Sequence, residues 1–148
     1  MSATGLDVFD KTLQTTNIWL NDLTDELGPD RQRSWHVLGA VLRTLRDRLT
    51  TDQAAHLSAE LPLLVRGLYY DQYRPSMQPL VTRSLDEFLS LVAAGLVDIR
   101  PVGAEDAARA VFRLLSRRLP AGQVAKVRQA LAEEIRVLWP DPLKMAAE

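Results

Sequence analysis

The chain has 148 residues, with 18 basic and 19 acidic side chains, a net charge of −1 and no cysteine. That length points to one ordinary domain, and the missing thiols exclude a disulfide framework, a thiolate zinc site and a cysteine nucleophile. The balanced charge creates no overall field toward nucleic acid or an anionic membrane, and no apolar run reaches the roughly 18 residues of a membrane span.

Helical spacing runs through the whole chain. In the first predicted helix Leu6, Phe9, Leu13, Thr16, Leu20, Leu23 and Leu27 step by three and four, a narrow apolar seam, and Gly28-Pro29 stops it. Ile18 and Trp19 lie off that seam, so they either widen the buried face or stand exposed, and an exposed Trp19 would favour dimerisation. A second helix is expected from Asp30 to Arg48, burying Trp35, Leu38, Leu42, Leu45 and Leu49. Thr50 with Gln53 three residues on forms a capping box for a third helix, whose stripe is Ala54, Leu57, Leu61, Leu64 and Leu68. Pro62 falls inside it, removes one backbone bond and should kink it near Ser58-Ala59.

Tyr69 to Arg83, with three tyrosines, Pro75 and Pro79, is the expected boundary between halves. Ser84 and Glu87 form a second capping box, opening a fourth helix that carries Leu85, Phe88, Leu89 and Val92 to a stop at Gly95. Val97-Asp98-Ile99 is too short to count as a strand. A fifth helix is expected over Ala104 to Arg118 and a sixth from Gly122 to about Leu138, ended by Trp139-Pro140-Asp141-Pro142. Residues 143–148 are expected to be a tail.

The stretch 40–71 recurs, without a gap, 70 positions later at 110–141. Twelve of its 32 residues are identical: Ala40, Val41, Arg43, Leu45, Arg48, Leu49, Gln53, Ala55, Leu61, Arg66, Leu68 and Asp71. A duplicated helical unit predicts an all-α bundle of about six helices in two pseudo-symmetric three-helix halves, 1–72 and 73–142, sharing one core in a single domain. Asp47-Arg48-Leu49, the run Ala54 to Pro62, Val65-Arg66-Gly67-Leu68-Tyr69-Tyr70-Asp71 and Pro75 resemble the bacterial DUF2267 family, a domain of unknown function, over about residues 6 to 140. The chain departs from the family pattern at Glu60 and at Gln72-Tyr73. The resemblance implies an all-helical fold of two similar halves and carries over no activity and no site residue.

Four residue sets bear on function. The polar pairs kept in both copies are Arg43 with Arg113, Arg48 with Arg118, Arg66 with Arg136, Gln53 with Gln123 and Asp71 with Asp141. They are mainly expected to cap helices and bridge hairpins, Arg66 pairing with Asp71, with a pair of equivalent anion sites as the functional alternative. The boundary residues Tyr69, Tyr70, Asp71, Tyr73 and Arg74, with Trp139 at the position equivalent to Tyr69, are the residue types that anchor interfaces, and Trp19 joins them. Against that stands the amphipathic role of tyrosine, ring on the core and hydroxyl outward.

His36, His56 and the acidic group Asp22, Asp25 and Glu26 lack metal-ligand spacing, so no metal and no cofactor is expected. Acid at the end of the first helix opposes the helix dipole. Finally, Arg109, Arg113 and Arg117 lie four apart, with Arg118 beside them, a stripe that could meet phosphates or a small anion unless Glu133-Glu134 neutralise part of it. No nucleophile elbow, dinucleotide loop or phosphate loop occurs.

The favoured expectation is a non-catalytic helical interaction module that binds a protein partner or a second copy of itself. Nucleic acid or a small anion on the arginine stripe is the alternative, and no membrane partner is expected. The first residues, Met1 to Gly5, lack the pattern of a signal peptide, and the excess of 15 Arg over 3 Lys suggests a GC-rich bacterial source. A cytoplasmic location is expected by default.

Overall fold

The computed structural model describes residues 3–141; the tail expected at 143–148 lies outside them. The described residues form eight α-helices: α1 (Asp7–Leu27), α2 (Arg31–Arg48), α3 (Thr51–Ala59), α4 (Leu63–Tyr70), α5 (Leu85–Ala94), α6 (Ala104–Arg118), α7 (Ala121–Ala130) and α8 (Glu133–Arg136). A single 3-10 turn, Pro75–Met77, sits in the connection between α4 and α5. No strand occurs among the described residues.

The bundle is built around α2 and α6, the two helices that open the repeated stretch, which pack on each other. α1 lies across both, α5 also touches both, α4 covers α2, and α3 and α7 meet beneath. One core joins the two copies: Leu38, Val41, Leu42 and Leu45 of α2 are buried with Val111, Phe112 and Leu115 of α6, and with Phe88 and Val92 of α5. Burying such side chains contributes on the order of 2 kcal/mol each. Small residues set the spacing. A side chain at Gly95 would come within 2.9 Å of the Ala40 Cβ, so α5 ends where it closes on α2. Gly95 itself has φ −84°, so its use here is close approach rather than a left-handed cap.

Several predicted boundaries hold for the expected reason. Gly28 ends α1 with φ 107°, and its N–H reaches the Thr24 carbonyl. Thr50 Oγ1 accepts from the Gln53 N–H at 3.1 Å while Gln53 Oε1 accepts from the Thr50 N–H at 2.9 Å, a complete capping box. Ser84 caps α5 by accepting from the Glu87 N–H at 3.2 Å, but the reciprocal Glu87 bond of the expected capping box does not form.

The count of helices differs from six because two of the predicted helices are split. Pro62 breaks the third helix instead of bending it: α3 stops at Ala59, and Pro62, at φ −56° and ψ 151°, becomes the N-cap of α4. Proline has no N–H to give the Ser58 carbonyl four residues back. Arg66 takes that place, its Nε donating to Ser58 O at 2.8 Å and its Nη2 to Leu61 O at 3.0 Å. The expected Arg66–Asp71 pair is absent, because this guanidinium is committed to the splice. The predicted sixth helix also breaks, and without a proline: Ala132 takes φ −58° and ψ 147°, close to Pro62 at the matching repeat position. Glu133 and Glu134 then occupy the first turn of α8, where negative charge suits a helix N-terminus.

The apolar seam of α1 is only partly buried. Thr16, Leu20 and Leu23 are covered, whereas Leu6, Phe9 and Leu13 on the same stripe are exposed. A helix of 21 residues is roughly 30 Å long, several ångströms longer than α2 or α6 beneath it, so its first turns overhang the core.

Candidate functional site

The arginine stripe and the acidic end of α1, two oddities of the sequence, meet each other in space. Arg113 grips Glu26, with Nε 3.1 and 3.0 Å from its two carboxylate oxygens and Nη2 2.6 Å from Oε2. Arg118 grips Asp22 through Nε at 2.7 Å and Nη2 at 3.0 Å, and Arg117 stands 3.5 Å from the same carboxylate. Arg109 bonds Glu105 one turn back and the Val137 carbonyl. All four guanidiniums are thus engaged within the fold, lashing α6 to α1 and to the chain after α8. Glu134 plays no part in this, contrary to expectation: it accepts from the Leu85 N–H at 3.1 Å and ties α8 to the start of α5.

Hydrogen bonds from Arg118 hold the Asp22 carboxyl below its ordinary value of 3.8, against the opposing pull of burial and with help from Arg117. A depressed native value adds stability that is present above pH 3.8 and lost as pH falls through the native value. Asp22→Asn is therefore expected to cost about 1 kcal/mol at neutral pH, since Arg117 and Arg118 are partly solvated. Below that window variant and wild type should converge in urea unfolding; a gap unchanged with pH would mean that the Asp22 charge contributes nothing.

The predicted aromatic interface is largely internal. Tyr69 is fully buried, with its hydroxyl donating to Ala54 O at 2.8 Å, and burial raises its phenol pKa above the ordinary value. Trp139 is buried too, stacked on Phe112 at 4.6 Å with an interplanar angle of 9°, and its Nε1–H donates to Ser116 Oγ at 2.7 Å. Trp19 widens the buried face of α1, at 3 % exposure, while its neighbour Ile18 faces out. Large rings at these positions fill the interior, so Tyr69, Trp139 and Trp19 are not available to a partner on the surface of this fold. Tyr70 and Tyr73 are half-buried and pack edge to face in a row with Tyr69. Of the seven residues, only Asp71 and Arg74 are exposed.

The residue that organises this region is Arg46 of α2, which no motif or spacing in the sequence singles out. It is 3 % exposed. Its Nη1 donates to the Tyr69 carbonyl at 2.6 Å and to the Asp71 carbonyl at 2.8 Å, its Nη2 pairs with Asp47 at 2.9 Å, and its guanidinium lies 5.0 Å over the Tyr73 ring. Tyr73 bonds Gln78, which in turn bonds the Arg46 carbonyl. The repeat hid this role, because position 116 is serine.

Other repeated polar residues also act within the fold. Arg43 donates to the Leu68 carbonyl, Asp141 lies 3.8 Å from Arg128, and His36 and His56 are exposed. No group of three histidine or acidic side chains that could hold a metal occurs among the described residues, and no helix among them is long and apolar enough to cross a membrane.

The surface that stands out is the overhanging end of α1. Leu6, Phe9 and Leu13 are 47, 51 and 43 % exposed. On the flank of α1, Val8 and Leu63 line one groove, the Leu64 N–H reaches Thr12 Oγ1 at 3.4 Å, and Leu63 and Leu64 of α4 are themselves exposed.

No curated protein matches the chain. A family model described as an uncharacterized conserved protein, DUF2267, matches residues 16–138. With most of its length covered by that match, the chain belongs to the DUF2267 family.

Proposed function

We propose that the protein is a non-catalytic helical interaction module that associates with a second copy of itself through the overhanging end of α1. The supporting observation is the stripe Leu6, Phe9 and Leu13, which continues the buried stripe of Leu20 and Leu23 but lies open. Apolar side chains exposed as one helical stripe, rather than scattered singly, are the mark of a docking surface. A stripe spaced by three and four residues is matched in spacing by the same stripe on a second copy. A two-fold contact covers both at once. The cysteine-free composition accords with the reducing cytoplasm, where we place this role.

Sedimentation equilibrium and native mass spectrometry test the proposal. The wild type is expected to dimerise at micromolar concentration, and Phe9→Glu and Leu13→Glu are expected to give monomers. Because these side chains are about half exposed, both variants should keep the unfolding stability of the wild type within about 0.5 kcal/mol when compared at concentrations where the wild type is also monomeric. A wild-type monomer at all concentrations, or a monomer recovered with a different polypeptide on this face, rules out self-association. A dimer untouched by either substitution moves the contact elsewhere.

A further inference from the structure

A cleft of about 350 Å³ lies where the chain between α4 and α5 crosses the start of α3 and the break between α7 and α8. None of the residues of the exposed α1 stripe lines it, so it is independent of the self-association proposed above. Its walls combine apolar Leu80, Val81 and Leu131 with Thr82 and two arginines, Arg48 and Arg83, and no acidic side chain lines it. The crossing strand of chain is anchored: the Leu80 N–H donates to the Asp47 carbonyl at 2.8 Å, and Thr82 Oγ1 accepts from Arg48 Nη1 at 2.8 Å.

Arg48 is the unusual member. It is 9 % exposed, its Nε has no partner, and Nη1 alone of its nitrogens donates a hydrogen bond. Among the described residues no carboxylate pairs with it or with Arg83. Burial works against its charge, and Asp47 and Glu87 offset this only from a distance. A buried guanidinium without a counter-charge is costly, and proteins rarely keep one without an anion to receive it. The chain supplies its own comparison. Arg118, at the matching repeat position, closes both ends of its fork on the Asp22 carboxylate. Arg48 meets no such carboxylate among the described residues.

We propose that this cleft binds a small organic oxyanion, a carboxylate or phosphate on an apolar body, with Arg48 and Arg83 on the charged end and Leu80, Val81 and Leu131 around the rest. The volume suits a small molecule, and the mix of apolar wall with a few convergent polar groups is that of a ligand pocket. The planar guanidinium fork matches both carboxylate and phosphate.

Calorimetric titration of the full chain at constant ionic strength, with benzoate, phenyl phosphate and the neutral benzyl alcohol as probes, tests this. Saturable binding of one or both anions is expected, with benzyl alcohol weaker by about tenfold or more. Binding of benzoate alone assigns a carboxylate ligand, and binding of phenyl phosphate alone a phosphate. Arg83→Gln, at an exposed position, and Arg48→Met should each raise Kd at least about tenfold. Arg109→Gln, outside the cleft, should leave it unchanged. Should Arg48→Met fail to fold, Arg83→Gln decides. Absence of binding by both anions at millimolar concentration, equal affinity for benzyl alcohol, or a wild-type Kd in Arg83→Gln overturns the proposal.

Discussion

Trp139→Ala is expected to destabilise the protein by about 3–5 kcal/mol, the usual cost of removing a buried tryptophan. The melting temperature should fall by roughly 10 °C. The ring lies flat on Phe112 and packs in the shared core, and its Nε1–H is held by Ser116 Oγ. The alanine variant leaves a cavity against α6 that rigid helices cannot close. Trp139→Phe retains an aromatic surface against Phe112 and loses the hydrogen bond and part of the volume, so about 1–2 kcal/mol is expected. Urea unfolding of the three proteins checks the order. If Trp139→Ala unfolded like the wild type and changed only self-association, the residue would belong to an interface and not to the core.

Arg46→Ala should have the second-largest effect, about 3 kcal/mol. Two carbonyls, of Tyr69 and Asp71, lose their donor together, and Asp47 and the Tyr73 ring lose the cation that faces them. The loss is greater than that of a surface ion pair because the guanidinium is almost entirely out of water. Arg46→Lys should recover only part of it, since an ammonium is a point donor and cannot hold both carbonyls, the carboxylate and the ring in one plane. Arg74→Ala, nearby but exposed, should stay within about 0.5 kcal/mol of wild type. The tyrosine near-ultraviolet circular dichroism gives a local readout. It should weaken in Arg46→Ala in the still-folded protein, where Tyr69, Tyr70 and Tyr73 lose their fixed edge-to-face geometry. An unchanged tyrosine signal with unchanged stability would show that the carbonyls find water instead.

Both predictions concern residues whose role changed once the fold was known. Trp139 and Tyr69 were expected at an interface because aromatic side chains serve interfaces and cores equally well. Residue type does not separate the two; only the helices around the rings do. Arg46 carried no local signal of this role, since the two carbonyls it holds lie 23 and 25 residues away. The arginine stripe of α6 posed the same difficulty. From the chain alone its charge looked free, yet Asp22 and Glu26, 96 and 87 residues earlier, take Arg118 and Arg113.

What the sequence determined by itself is local or periodic. Three-and-four spacing identified the helices, Gly28 and the Thr50–Gln53 box set termini through bonds closed within a few residues, and the internal repeat made the helices of 40–71 and 110–141 counterparts. The family match over residues 16–138 agrees with the resemblance carried by Asp47 to Pro75. Tertiary structure decided the rest. It split the third and sixth helices at Pro62 and Ala132, left Leu6, Phe9 and Leu13 uncovered where α1 outruns its neighbours, and left Arg48 without the acid that Arg118 receives. Helix formation answers to neighbours within one turn, whereas burial and charge pairing depend on which distant segment arrives opposite, and a periodic stripe carries no record of that.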